Sequence, residues 1–301
     1  MLKFEQQQKI SQIGDILLGG QPGENPTVLI GSIFYSGHRI VTDIEKGIFD
    51  KQKARDLLDR EAELSIETGN PRIIDVVGET TNAMINYVEF VASNCKEPIL
   101  VDSAMRKVRM ETIEHFAGTE LVPRLIYNSI DLNYNDEELA CIKDSGIKSA
   151  VLLAFTTRAI KPKARVKLLE ENLLGAAQRA GLENILIDTG VLDVPSVSWS
   201  TQAIWEIKNI LGYPSGCAPA NALHTWKKAR EKGSPAFQSS GSSVLGLPIS
   251  WGADFIFYGP IGSAPWVYPA CATMDAMVGY GGQSVGTRSI KEHPLYRIFK
   301  S

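Results

Sequence analysis

This chain carries few of the residue patterns that announce a chemistry by themselves. Its four cysteines, Cys95, Cys141, Cys217 and Cys271, lie far apart in 301 residues and form no CxxC pair. That spacing argues against a disulfide framework or a thiolate-built metal site and fits a reduced, cytoplasmic protein. The four histidines, His38, His115, His224 and His293, show no two-His metal signature. No GxGxxG marks the first strand-to-helix turn and no GxxxxGK(S/T) occurs, so the usual phosphate cradles for dinucleotides and nucleoside triphosphates are missing.

No apolar run reaches the roughly 18 residues that cross a bilayer. The nearest, Phe255–Tyr280, is interrupted by Gly259, Pro260, Pro265, Pro269 and Asp275, so direct membrane insertion is not expected. Met1–Gln8 is polar and no apolar stretch follows it, so a secretory signal is not expected. A formal charge of −3 provides no electrostatic case for nucleic acid or an anionic membrane surface.

What the chain does have is alternation. Gln8–Gly20 alternates around Gly14-Asp15, which predicts an N-terminal β-hairpin. Thr27–Phe34 (TVLIGSIF) is then a β-branched run too short for a helix, and a long connection, Tyr35–Asp50, leads to helical spacing over Lys51–Thr68. Strand-like runs follow at Arg72–Val77, Ile99–Asp102, Arg124–Ile130, Ala150–Phe155, Asn184–Asp188, Tyr213–Ala218 and Asp254–Tyr258, each trailed by helical periodicity. Gly233–Ser243 is Gly/Ser-rich and is expected to be a loop inserted before the last strand. Eight strand-plus-helix units imply a parallel sheet, and eight is the number that closes a TIM barrel. The expected architecture is an α/β (β/α)8 barrel, one domain over residues 1–301, with the hairpin in front.

In such barrels the chemistry sits where the strands end. The polar residues expected there are Asp75, Asp102 and Ser103, Asn128 and Ser129, and Asp188, with Asn221 just past the seventh strand. Any one of them alone suits a helix N-cap. Together they are acids and amides with no lysine, which argues against Schiff-base chemistry. A planar ligand presenting several N–H groups matches such a set, and a pterin is one, because its amino group and ring N–H meet the two oxygens of a carboxylate.

A resemblance sharpens this. VDSA (Val101–Ala104), YNSI (Tyr127–Ile130) and IDTG (Ile187–Gly190), with Asn221, resemble the pterin pocket of corrinoid-dependent methyltetrahydrofolate methyltransferases. Gly19–His38 (GGQPGENPTVLIGSIFYSGH), Lys46–Lys51, Thr68–Thr80, Asp254–Ile261 and Glu292–Phe299 resemble the H-subunit family of tetrahydromethanopterin S-methyltransferase, over nearly the whole chain. That family also includes soluble bacterial members, which move a methyl group from methylcobamide to tetrahydrofolate during demethylation of amines such as glycine betaine.

Two departures from the archaeal pattern point to the bacterial branch: Ser103–Met110 (SAMRKVRM), and the basic stretch bearing Arg158, Lys161, Lys163, Arg165 and Lys167, which would suit the carboxylates of a folate tail. The resemblance implies a methylcobamide:tetrahydrofolate methyltransferase. Asp102, Asn128 and Asp188 would hold the pterin, Asn221 would reach N5, and Asp188 would stabilise the methylated amine. Asp75 and Ser103 complete the candidate binding set. With no DxHxxG motif in the chain, the cobalamin is expected on a separate corrinoid protein; a homodimer is implied by the family alone. The alternatives are the H-subunit of a membrane tetrahydromethanopterin:coenzyme M methyltransferase complex and, further behind, a dihydropteroate-synthase-like enzyme. The latter would need basic residues where Gly216–Pro219 and Gly259–Gly262 stand.

Overall fold

The computed structural model describes residues 2–299. Strands β1 (Ile10–Ile13) and β2 (Ile16–Gly19) pair antiparallel around Gly14, whose φ of +56° explains the glycine at that turn. Ile13, Ile16 and Leu18 point one way and are buried, while Ile10 and Leu17 face outward. The buried face joins Val28, Ile30, Ile73, Leu100, Ile126, Val151, Leu186 and Phe255 in a single apolar cluster. The hairpin therefore plugs the end of the barrel where the strands begin. Lys9 N–H donates to Gly212 O at 2.7 Å just ahead of the seventh barrel strand.

The barrel begins with β3 (Val28–Ile33). Its first connection holds a small hairpin, β4 (Val41–Asp43) and β5 (Ile48–Phe49), inside the segment expected to be a plain loop. Then come β6 (Arg72–Val77), β7 (Ile99–Asp102), β8 (Leu125–Ile130), β9 (Ser149–Leu153), β10 (Asn184–Asp188), β11 (Ser215–Cys217) and β12 (Phe255–Pro260). All eight barrel strands are parallel and follow chain order until β12 closes on β3. The expected (β/α)8 architecture and its hairpin are both present.

Helices α1 (Lys51–Thr68), α2 (Thr81–Asn94), α3 (Arg106–Phe116) and α4 (Asp136–Ser145) surround the first half. Their starts are set locally: the side chains of Asp50, Thr80 and Asn135 accept from backbone N–H groups three residues on, in α1, α2 and α4. Helix α5 (Pro162–Leu168) runs through a π-helical turn, Leu169–Leu173, into α6 (Leu174–Arg179). Helices α7 (Val197–Ile210), α8 (Pro219–Thr225), α9 (Lys227–Glu231), α10 (Ser234–Ser250) and α11 (Ala264–Gly282) complete the ring. A second apolar layer fills the space between strands and helices. Truncating one of its fully buried leucines or isoleucines to Ala would cost on the order of 2–5 kcal/mol. None of the helices among the described residues is long and apolar enough to cross a membrane.

Two expectations are corrected. The stretch Gly233–Ser243 is not a loop: from Ser234 onward it is the first half of α10. Its glycines are packing sites, because a Cβ on Gly241 would lie 2.6 Å from Trp266 Cη2 and one on Gly246 would lie 2.9 Å from Met274 Cε. The helical periodicity trailing the seventh strand-like run is not one helix but two, α8 and α9, split at Trp226, whose ψ of 86° leaves the helical region.

Candidate active site

The strand ends meet at one cavity of about 660 Å³. Strand register fixes much of its wall. Ser32 sits opposite Asp75, Val77 opposite Asp102, and Asp102 opposite Asn128, so β3, β6, β7 and β8 present their polar ends side by side. A register shift between Asn128 and Ile130 leaves Ser129 unpaired on β8 and breaks the alternation just past Asn128. Asp188 enters from β10, and Asn221 from the first turn of α8, where Pro219 starts the helix. Asp75, Asp102, Asn128, Asp188 and Asn221 all line this one space.

Ser103 does not. It is buried beyond the end of β7, its Oγ accepts from Met105 N–H at 3.2 Å, and its carbonyl accepts from the Arg109 guanidinium. These bonds shape the turn into α3, and Ser103 is not among the residues that line the cavity.

The acids are held in unusual states. Burial lifts the Asp188 carboxyl to about 6, against the pull of Gly190 N–H, which donates to Oδ1 at 2.7 Å, and of the Arg165 charge. Burial also lifts Asp102 to about 6, opposed first by Arg109. Asp75 is pushed well above the usual carboxylate range by burial and then by the Asp102 charge beside it. Ser32 Oγ donates to Asp75 Oδ2 at 2.5 Å and partly offsets that rise.

Arg165 is set apart from Arg158, Lys161, Lys163 and Lys167 of the same basic stretch, which are exposed. It is 1% exposed, and its Nη1 donates to Thr189 O at 2.6 Å, Gly190 O at 3.2 Å and Ser200 Oγ at 3.0 Å. It ties down the loop behind Asp188. Arg158, Lys161, Lys163 and Lys167 lie outside the cavity wall.

Four polar lining residues were not foreseen: Ser32, Tyr35, His224 and Thr225. Tyr35 stacks on His38, with ring centroids 4.5 Å apart, and His38 Nδ1 accepts Phe34 N–H at 3.1 Å. His38 thus braces the wall from behind. His224 follows Asn221 by three residues, the spacing that puts two side chains on one helix face, and that spacing was the available signal. Burial lowers the His224 pKa, with help from Arg230, so the ring is neutral near pH 7.

A family profile described as the tetrahydromethanopterin S-methyltransferase MtrH subunit matches residues 6–290. The chain belongs to this family. The tetrahydromethanopterin S-methyltransferase H-subunit of Methanopyrus kandleri is 37% identical over 96% of this chain and 96% of its own length. The corresponding protein of Methanothermobacter marburgensis is 30% identical over 99% of this chain and 100% of its own length. Among solved structures, a dihydropteroate synthase of Xanthomonas albilineans shares 16% identity with a TM-score of 0.61, covering 90% of this chain and 98% of that one. The Yersinia pestis synthase shares 12% at a TM-score of 0.61, covering 89% and 98%. At such identity the likeness to the synthases is one of fold. Among the described residues lining the cavity of this MtrH-family chain there is no Lys or Arg.

Proposed function

We propose that this protein moves a methyl group between the N5 nitrogen of a tetrahydropterin and the cobalt of a corrinoid held by a separate protein. The observation that carries this is the meeting of Asp102, Asn128, Asp188 and Asn221 on one cavity in an MtrH-family chain. The cavity volume lies in the range of small-molecule sites and suits a bicyclic ring. A corrin macrocycle is far larger, which is why the partner is taken to present it over the mouth. Bound there, a corrinoid supplies a cobalt centre that donates or accepts the methyl group.

The chain's own residues do the positioning. Asp102 accepts from the pterin's amino and ring N–H groups, and Asn128 adds an amide that donates or accepts beside it. Asn221, at the exposed rim, hydrogen-bonds N5. Asp188 stabilises positive charge on the methylated amine, a preorganised electrostatic contribution. The nucleophile is an amine with its own lone pair, so orientation rather than deprotonation by a side chain is what the site must provide.

Between the two acceptors, the names of the relatives favour tetrahydromethanopterin, and with it the role of an H-subunit in a methyltransferase complex, over the tetrahydrofolate and glycine betaine assignment expected from the sequence. The burial of Arg165 removes one of the basic residues on which a folate-tail site rested. The same proposal treats the chain as one cytoplasmic domain and as a homodimer. Exposed Leu247 and Trp251 on or beside α10, with Met277 and Tyr280 on the adjoining α11, provide apolar side chains for such a contact.

Anoxic mixing of the purified protein with methylcobalamin and either tetrahydropterin tests the reading. Appearance of the cob(I)alamin spectrum supports it, and the faster acceptor names the substrate. No cob(I)alamin with either acceptor would overturn the methyl-transfer assignment.

A further inference from the structure

Asp75 is the most enclosed carboxyl of the cavity wall, with 3% of its surface exposed. Ser32 Oγ–H reaches Oδ2, while Oδ1 is buried without a donor. Among the described residues no cation offsets it, whereas Asp102 next to it has Arg109 of α3 nearby. The two acids come from adjacent strands, Asp102 opposite Val77 and Asp75 two residues earlier, and they lie within hydrogen-bonding reach of each other. Two buried carboxyl groups so close cannot both be ionised at modest cost, so one proton is shared between them. The cation beside Asp102 decides its position.

We propose that Asp75 is a positioning residue, a neutral carboxylic acid whose Oδ1–H donates to Asp102 and keeps Asp102 ionised and aimed into the cavity. The directions of the shifts agree: Asp75 stands well above the usual range, and Asp102 rises only to about 6. The other groups facing the pair are Ser32 and Tyr35 from β3 and the turn after it, Asn128 from β8, Asp188 from β10 and His224 from α8. Asp188 adds a negative charge that raises Asp102 further, so the donated hydrogen bond from Asp75 is what Asp102 has inside the barrel to hold its charge. The role toward the pterin rests on the function proposed above; the position of the proton does not.

Infrared difference spectroscopy on the whole chain at pH 7, wild type minus Asp75→Asn, reads the proton directly. A protonated-carboxyl C=O band lost in the variant is expected, and loss of a carboxylate band instead would overturn the proposal. Binding of 6-methyltetrahydropterin, a ring without a tail, gives the second readout. Asp75→Asn keeps a donor toward Asp102 and is expected to hold Kd within about threefold, whereas Asp75→Ala raises it about tenfold, the equivalent of one hydrogen bond to a charged group. Equal loss in both variants would overturn the donor role. If the wild type bound no tetrahydropterin, the proposed function would fall, and the infrared band would still locate the proton.

Discussion

Arg165 donates to the carbonyl of Thr189, the residue directly after Asp188, across 2.6 Å of protein interior. A cation drawn from a run of surface charges is thus the clamp that fixes one wall of the cavity. Replacing it with Met leaves the buried Thr189 carbonyl without its donor, while the Gly190 carbonyl keeps the Ser200 hydroxyl, at a cost of about 3 kcal/mol. Arg165→Met is expected to lower the unfolding free energy from urea denaturation by that amount, whereas Lys161→Ala, at an exposed position, stays within about 0.5 kcal/mol of wild type. A neutral Arg165→Met would show that the loop holds itself.

Asp102 and Asn221 are expected to fail in different ways. On the proposed function, Asp102→Ala removes an acceptor for the pterin's N–H groups in ground and transition states alike, so Kd should rise by roughly 10- to 100-fold, the range for hydrogen bonds to a charge. Asn221→Ala removes the proposed hydrogen bond to the reacting nitrogen and should lower kcat more than it raises Kd. Binding titrations and single-turnover kinetics separate the two effects. Wild-type values in both variants would remove the pterin from this cavity.

Asp188 carries a pH signature. Its carboxyl rises to about 6 in the folded chain, above its unfolded value. A raised acid stabilises the fold fully below the unfolded pKa and loses that contribution as pH climbs through the folded one. Between about pH 4 and pH 6 the loss is about 3 kcal/mol, from roughly two pKa steps at ~1.4 kcal/mol each. Asp188→Asn should flatten that part of the stability-versus-pH curve, leave the variant more stable than wild type at pH 7, and slow methyl transfer. An unchanged slope in denaturation midpoints across this window would contradict the shift.

The contrast between these residues explains what the sequence made legible. Asp102, Asn128 and Asp188 could be located because each ends an apolar run of strand length, and the eightfold count placed all the ends at one mouth. Ser103 follows Asp102 directly, yet the strand has ended there and the backbone turns into α3, so adjacency in sequence did not mean a shared face. Arg165 was hidden by its neighbours, since a run of mixed lysines and arginines has no local mark for the member that turns inward. Helix α10 was hidden by composition, because its glycines serve close contacts with Trp266 and Met274 that only the tertiary fold supplies. The acid pair of Asp75 and Asp102 needed strand register, which no single strand contains.

Gly31 makes the same point in a testable form. It lies in the middle of β3, where a β-branched residue would ordinarily be favoured. A Cβ there would stand 2.7 Å from Glu61 Oε1 and closer still to the Tyr258 hydroxyl. Those two side chains are hydrogen-bonded at 2.5 Å, with Arg72 3.6 Å from the other Glu61 oxygen, in a buried cluster between α1 and the barrel. Burial holds the Glu61 carboxyl up at about 7, so the tyrosine's donated bond is one of the few things that favour its charged form. Gly31→Ala therefore both overpacks the site, at about 1–3 kcal/mol, and separates Glu61 from its donor, at a further ~1–3 kcal/mol. Thermal unfolding of Gly31→Ala should show the lowest Tm of the variants named here. The deficit should widen as pH rises through 7, where Glu61 has to ionise without its partner. A Tm within a degree of wild type would mean that the cluster can move aside, and that the glycine has no packing role.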